Sequence, residues 1–131
     1  MSRSDGQALI EFALVLPFLL LFAFAIVLIT EIGIARVALE HAAAEGARVG
    51  SLTNDDGQMR AAIDAAVAPL HPDRVAVRIQ PSAHEGPRGH DPRGSLLHVE
   101  VRYVVPAPLA FGGLPSVSVV GSATRMIEWT P

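Results

Sequence analysis

Cysteine and lysine are both absent from this chain of 131 residues. Without cysteine the chain can form no disulfide framework, thiolate metal site or cysteine nucleophile. All ten basic residues are arginine, and they are scattered along a chain whose formal charge is −3. Because a nucleic-acid-binding domain of this size would concentrate basic residues, nucleic acid is not an expected partner.

Motifs that support catalysis are missing too. The sequence holds no serine nucleophile elbow, no carboxylate pair at a diagnostic spacing and no phosphate-binding loop. His84, Glu85, His90 and Asp91 are possible metal ligands, but they stand in a Gly/Pro-rich stretch that would not hold ligands in place. We therefore predict no enzyme activity, no metal or other cofactor and no small-molecule substrate.

Residues 12–29 form a run of eighteen residues without a single charge. As a helix this run is about 27 Å long, which is close to the hydrocarbon thickness of a bilayer. Residues 7–11 lengthen the helix at its start, so we predict a transmembrane helix over residues 7–29. Pro17 lies inside the run and is expected to kink the helix, which membrane helices tolerate.

The helix is predicted to continue outside the membrane over residues 30–48, where charged and apolar residues alternate with a helical spacing. Ile32, Val37, Leu39 and Ala43 are expected to face a partner helix or the remainder of the chain. Gly46 is expected near the end of this helix of about forty residues.

A short motif precedes the apolar run. Gly6 is followed by Gln7, and then by Glu11 and Phe12, with Pro17 six residues beyond the glutamate. This arrangement resembles the processing site of type IV pilin precursors, and in particular the TadE-like minor pilins (pseudopilins) of the tight-adherence (Tad/Flp) pilus.

Further similarity to that family continues along the predicted helix. Arg36 begins an Arg-x-Ala-Leu-x-x-Ala-Ala run, which closes on the sequence Glu-Gly-Ala-Arg at residues 45–48. The stretch from Ser122 to Glu128 resembles the terminal strand of the family more loosely. The resemblance is specific over residues 6–48.

The resemblance implies a processed membrane protein. A prepilin peptidase would cut after Gly6, which makes residues 1–6 a leader peptide and Gln7 the first residue of the mature chain. Glu11 would pair with the new α-amine, or with that of a neighbour, and so set the register of subunits in a helix bundle. The implied partners are the membrane, the prepilin peptidase, other pilin-like subunits and the Tad assembly machinery. The implied location is the cytoplasmic (inner) membrane, single-pass, with an extracytoplasmic C-terminal head that can enter a surface pilus and contribute to assembly, adhesion or secretion.

Residues 49–131 are predicted to form this small head, so the fold class is α+β. A helix is expected over residues 58–67, with Met59 and Ile63 facing inward, and alternating residues predict three strands near 75–79, 97–104 and 117–127. We predict an antiparallel three-stranded meander packed on the long helix and the short one. The Gly/Pro-rich stretches 81–94 and 106–115 are expected to be flexible surface loops.

Two other interpretations stay open. The sequence Ala-Phe-Ala at residues 23–25 is typical of a signal-peptide cleavage site, so the chain could be a secreted binding module that begins at Ile26. The chain could also be a single-pass anchored ectodomain unrelated to pili. The first residue of the mature protein distinguishes these possibilities.

Overall fold

A computed structural model describes residues 3–106 and 116–130, with side chains from residue 6 onward. The helices are α1 (Arg3–Thr53), α2 (Asp56–Ala66) and the single turn α3 (Pro87–His90), and a 3-10 turn covers Pro72–Arg74. The strands are β1 (Val75–Gln80), β2 (Leu96–Val105) and β3 (Val117–Met126). The predicted α+β fold, with a long N-terminal helix and a small head, is confirmed. All but the first residue of the predicted loop 106–115 lies outside the described residues.

Helix α1 is 51 residues long, about ten more than expected. Gly46 does not end it, so that prediction was wrong. A Cβ at Gly46 would lie 2.5 Å from the Ile63 side chain of α2, so the glycine allows the two helices to pack closely. The helix ends at Thr53, where Asn54 takes a left-handed conformation (φ 51°) and its backbone N–H donates to the Gly50 carbonyl at 3.0 Å.

Helix α2 begins at Asp56, two residues before the predicted start. The Asp55 carboxylate caps it by accepting hydrogen bonds from the N–H groups of Gly57 (2.7 Å) and Gln58 (3.2 Å). These backbone donors, first that of Gln58, lower the pKa of Asp55. Met59 and Ile63 are fully buried, as the helical spacing predicted.

The sheet is the predicted antiparallel meander, in the order β1-β2-β3. Alternate residues of β2 face the helices and are buried, whereas His98 and Glu100 lie on the other face. His98 forms a cross-strand contact of 2.8 Å with the hydroxyl of Thr124. One hydrophobic core joins α1, α2 and the sheet, and its α1 members are Ala35, Leu39, Ala42, Ala43 and Ala47.

Small residues allow the head to pack closely against α1. A Cβ at Gly50 would lie 2.5 Å from the Met59 sulfur and 2.6 Å from the Leu97 side chain. A Cβ at Gly121 of β3 would lie 2.6 Å from the backbone oxygen of Leu39. The sheet therefore packs on the helix backbone itself at this point.

The stretch 81–94 lies mostly at the surface, as predicted, but one of its residues anchors it to the head. Arg88, on the turn α3, is 1 % exposed and points into the head. Its guanidinium forms an ion pair with Asp56 (2.9 Å) and donates to the Asn54 side-chain oxygen (2.9 Å) and to the Pro81 carbonyl. Asp56 also accepts from the Ala83 N–H at 3.0 Å. These contacts hold the loop against the junction of α1 and α2, an anchoring that the glycine and proline content did not indicate.

The C-terminal residues return to the end of α1. The N–H groups of Glu128 and Trp129 both donate to the Ser51 carbonyl, at 2.8 and 3.0 Å. Trp129 is half-buried against the core. This contact closes the end of the head that lies far from the apolar run.

Candidate membrane and processing segment of α1

The predicted cleavage site lies at the start of α1. Gly6 is the fourth residue of the helix, and Gln7 after it is exposed. Among the described residues, and apart from the neighbouring helix backbone, no atom lies within 4 Å of the place where a Cβ on Gly6 would be, and Gly6 does not have a positive φ. The fold therefore does not need glycine here, although glycine in a helix costs about 1 kcal/mol relative to alanine.

Glu11 lies one helical turn beyond Gln7 on the same face. The Gln7 side-chain amide donates to a Glu11 carboxylate oxygen over 3.4 Å, a long and weak hydrogen bond. None of the ion pairs between described side chains involves Glu11. Its side chain is exposed, so packing among the described residues does not explain it.

The apolar run forms a helix surface that the rest of the chain leaves uncovered. An eighteen-residue window of α1 has a mean hydropathy of 3.1, and none of that window is buried in the structure. Phe12 is 58 % exposed, Phe18 74 % and Ile29 70 %. Exposed apolar patches of this extent mark a membrane or protein partner, and α1 has the length and composition to cross a membrane.

Two residues change the hydrogen bonding of backbone carbonyls in this segment. Pro17 lies inside the continuous helix and has no N–H, so the carbonyl of Ala13 loses its usual helical donor. Thr30 follows the last apolar residue of the run, and its hydroxyl donates to the Ile26 carbonyl at 2.9 Å. Thr30 can therefore satisfy its polar group without water at this boundary.

Beyond the apolar run, three of the four predicted contact residues face the head. Leu39 and Ala43 are buried and Ile32 is partly buried against the core. Val37 is 70 % exposed and faces away from the sheet. It lines a shallow groove of α1 and α2 that also includes Ile34 and His41.

The Glu-Gly-Ala-Arg sequence at residues 45–48 divides its residues between two environments. Gly46 and Ala47 are buried against the head. Glu45 and Arg48 remain outside and form a two-bond ion pair, in which the Arg48 Nε donates to a Glu45 oxygen at 3.0 Å. The hydrogen bonds with Arg48 lower the pKa of Glu45, and Glu45 in turn raises the pKa of Arg48.

The four possible metal ligands of the loop, His84, Glu85, His90 and Asp91, do not form a metal site. Within residues 3–106 and 116–130, no group of three or more histidine, aspartate or glutamate side chains is placed to hold a metal ion. His84 and His90 are both exposed. The buried ionic group of this loop is instead Arg88, a residue that the sequence did not single out. An arginine in a Gly/Pro-rich loop gives no sign that it will turn inward.

Comparison with known proteins supports the sequence resemblance. The family described as TadE-like protein matches residues 6–48, about a third of the chain. No curated protein and no solved structure matches this chain. The matched residues begin at Gly6, cover the apolar run and end at Arg48, so they coincide with the segment described above.

The matching family is related to Tad pili and is of a structural kind. The long N-terminal helix of this chain is suited to single-pass membrane anchoring. The match does not extend to α2 or to the sheet. Over residues 6–48, this chain is similar to the TadE-like family.

Proposed function

We propose that the chain is a minor pilin of a tight-adherence pilus, made as a precursor and processed after Gly6 by a prepilin peptidase. Residues 1–6 act as its leader, residues 7–29 span the inner membrane and residues 30–48 continue the helix outside. The head, residues 49–131, lies on the extracytoplasmic side. Its partners are the peptidase, other pilin-like subunits and the Tad assembly machinery, and it contributes to pilus assembly, adhesion or secretion.

The observation that carries this proposal is the uncovered apolar surface of α1, preceded by two residues that the fold does not use. Six of the described glycines have a structural reason for their identity. Close packing accounts for Gly46, Gly50, Gly89 and Gly121, and a positive φ accounts for Gly86 and Gly94. Gly6 and Gly33 have neither reason. For Gly6, which directly precedes the Gln7 and Glu11 motif, a requirement from outside the chain, such as the small residue that a peptidase accepts, would explain the glycine.

The position of Gly6 in α1 also favours processing there over processing after Ala25. A protease needs its target bond unwound from the helix, and helix ends open at much lower cost than helix interiors. Gly6 lies in the first turn of α1, where the N–H groups have no helical acceptor. Ala25 lies in the middle of the continuous helix from Arg3 to Thr53. Cleavage after Gly6 therefore requires the smaller opening.

The mass of the mature protein tests this proposal. The full chain is produced in cells with and without a prepilin peptidase, and the protein is isolated from membranes for intact-mass analysis. We expect a chain that begins at Gln7, and only in cells that contain the peptidase. Gly6→Leu should abolish this cleavage, whereas Gly33→Leu, at the other α1 glycine whose Cβ would meet no neighbour, should not.

The other outcomes identify the alternatives. A chain that begins at Ile26 would mean signal-peptide cleavage and a secreted binding module. A chain that keeps its leader in the presence of an active peptidase would mean a single-pass anchor unrelated to pili.

A further inference from the structure

The head has one end beside the apolar run of α1 and one end far from it. The far end holds the α1–α2 turn and the β1–β2 connection, where charged residues such as Glu85 and Asp91 are exposed together with the apolar Leu52, Leu96 and Met126. The opposite end, here called the base, is formed by the described ends of α2, β2 and β3 and by α1 just beyond the apolar run. Exposed apolar side chains of the base are Ile34 (56 %), Val104 (38 %) and Val117 (38 %).

These three apolar side chains lie on different sides of the base. Ile34 is on α1, while Val104 and Val117 are on neighbouring strands. Val117 pairs with the buried Val105, so it shares the inner face of the sheet, whereas Val104 alternates with Val105 and lies on the outer face. The exposed apolar side chains are therefore distributed around the base. They do not line one groove that could hold a single helix.

The contacts between α1 and the head show where the base lies along the axis of α1. Leu28, still within the uncharged run, is partly buried against the core of the head. A cavity of about 190 Å³ is lined by Glu31 and Ile34 of α1 together with Leu70, Tyr103 and Pro106 of the head, among others. The base is thus level with α1 between Leu28 and Ile34.

This height coincides with the headgroup layer of a bilayer. If residues 12–29 fill the hydrocarbon, Ile29 lies at its outer boundary, and the headgroup region extends roughly 5–7 Å further on each side. Ile34 stands about 7.5 Å along the helix from Ile29. Residues level with Leu28 to Ile34 are therefore within or immediately above the headgroups.

From this geometry we infer that the base of the head is a lipid-contacting surface, which rests in the headgroup layer of the same membrane that holds α1. Ile34, Val104 and Val117 contact lipid at this surface. The inference rests on the membrane-anchored part of the proposed function. It implies that the bilayer supports the head before assembly and that these side chains lose lipid contact when a subunit leaves the membrane.

Spin labels on single cysteines test this surface, and the natural absence of cysteine removes any background labelling. The full chain is reconstituted in vesicles of phosphatidylethanolamine and phosphatidylglycerol. Labels replace Ile34, Val104 or Val117 at the base, exposed Glu85 at the far end, or Leu21 within the apolar run. Collision with oxygen, which concentrates in lipid, is compared with collision with a water-soluble nickel chelate.

We expect each base label to show more oxygen and less nickel collision than Glu85→Cys, with values between those of Glu85→Cys and Leu21→Cys. Base labels as open to nickel as Glu85→Cys would overturn the inference. Base labels shielded from both reagents would indicate a protein contact, such as a second copy, and would also overturn it. Melting curves identify any variant that does not fold. If one base variant fails to fold, the labels at the other two base positions test the inference.

The Leu21 label separates this inference from the anchor itself. A Leu21→Cys label that collides freely with nickel means that α1 does not span the bilayer, so the proposed anchor fails. A lipid-embedded Leu21→Cys label with water-exposed base labels leaves the anchor intact and overturns the lipid-contacting base alone.

Discussion

Gly121 of β3 lies against the backbone of Leu39 in α1, with no space between them for a side chain. A Cβ at residue 121 would come within 2.6 Å of the Leu39 carbonyl oxygen and 2.5 Å of the Glu40 nitrogen. Both are backbone atoms of a continuous helix, so they cannot rotate away as a side chain would. This contact sets how closely the sheet approaches the helix.

Gly121→Ala should therefore destabilise the head by about 1–3 kcal/mol, the usual cost of overpacking a core. The measurement is urea denaturation of the full chain in detergent micelles, followed by the fluorescence of Trp129, the single tryptophan. Gly33→Ala is the matched control, because its Cβ would meet nothing within 4 Å, and its stability should stay within about 1 kcal/mol of wild type. Equal stability of the two variants would contradict the packing argument.

Substitution of Arg88 should also destabilise the head strongly. Arg88→Met removes a buried guanidinium and leaves Asp56, Asn54 and the Pro81 carbonyl without their donor. Breaking a buried ion pair in this way costs about 3–5 kcal/mol, and the lower part of that range applies because the Asp56 side chain is 26 % exposed. Arg88→Lys should retain only part of the stability, since one ammonium group cannot make all the hydrogen bonds of the guanidinium group.

Limited proteolysis gives a local measure of the same contact. Trypsin should cut after the exposed Arg93 faster in Arg88→Met than in wild type, because the loop is no longer held to α2. The control Arg60→Met removes an exposed arginine from α2 and should leave both the stability and the cutting rate at Arg93 unchanged. If the Arg88→Met loop resists trypsin like wild type, Arg88 does not hold it.

The Asp55 cap predicts a dependence of stability on pH. Its folded pKa is below the unfolded value of about 3.9, so its contribution is fully present above that value and is lost as the pH falls through the folded pKa. Wild type should melt at a higher temperature than Asp55→Asn at pH 7, and this difference should shrink in acid. Glu45, whose pKa is also lowered, is present in both chains, so its contribution cancels in the comparison. A difference that does not change with pH would count against a charged cap.

Glu11 links the processing motif to assembly. If its carboxylate pairs with the α-amine of a processed chain inside a helix bundle, Glu11→Ala should still be cleaved after Gly6 but should associate less with pilin partners. The expected loss is about 3–5 kcal/mol when the pair is buried. Glu11→Asp should be partly defective, because the shorter side chain misplaces the charge.

Crosslinking and co-purification with pilin partners, together with the N-terminal mass, measure both effects of the Glu11 variants. Glu31→Ala, at the opposite end of the apolar run, controls for the loss of one carboxylate near the membrane boundary. Normal assembly of Glu11→Ala would limit the glutamate to a signal for the peptidase or to an interfacial residue.

The periodic parts of the structure could be predicted because local spacing alone specifies them. The inward residues of α2 and β2 follow helical and strand periods, and the Asp55 cap has a sequence signature. Loop anchoring has no such period. Arg88 is buried because Asn54, Asp56 and Pro81 converge on it, and these partners are 7–34 residues away in sequence. Gly46 was predicted near the end of the helix because glycine often ends helices. Its actual role, to allow α2 to pack closely on α1, is visible only in the tertiary structure.

The sequence by itself determined the long apolar helix, the Gly6 and Glu11 motif and the order of the elements in the head. These features depend on composition and on contacts within one helix or between neighbouring strands. Only the tertiary structure decided which residues of α1 receive the head, how closely Gly121 brings the sheet to it, and at what height the base lies above the apolar run. Those properties depend on contacts between residues distant in sequence, and no local pattern records which distant residue will fill the space beside a given side chain.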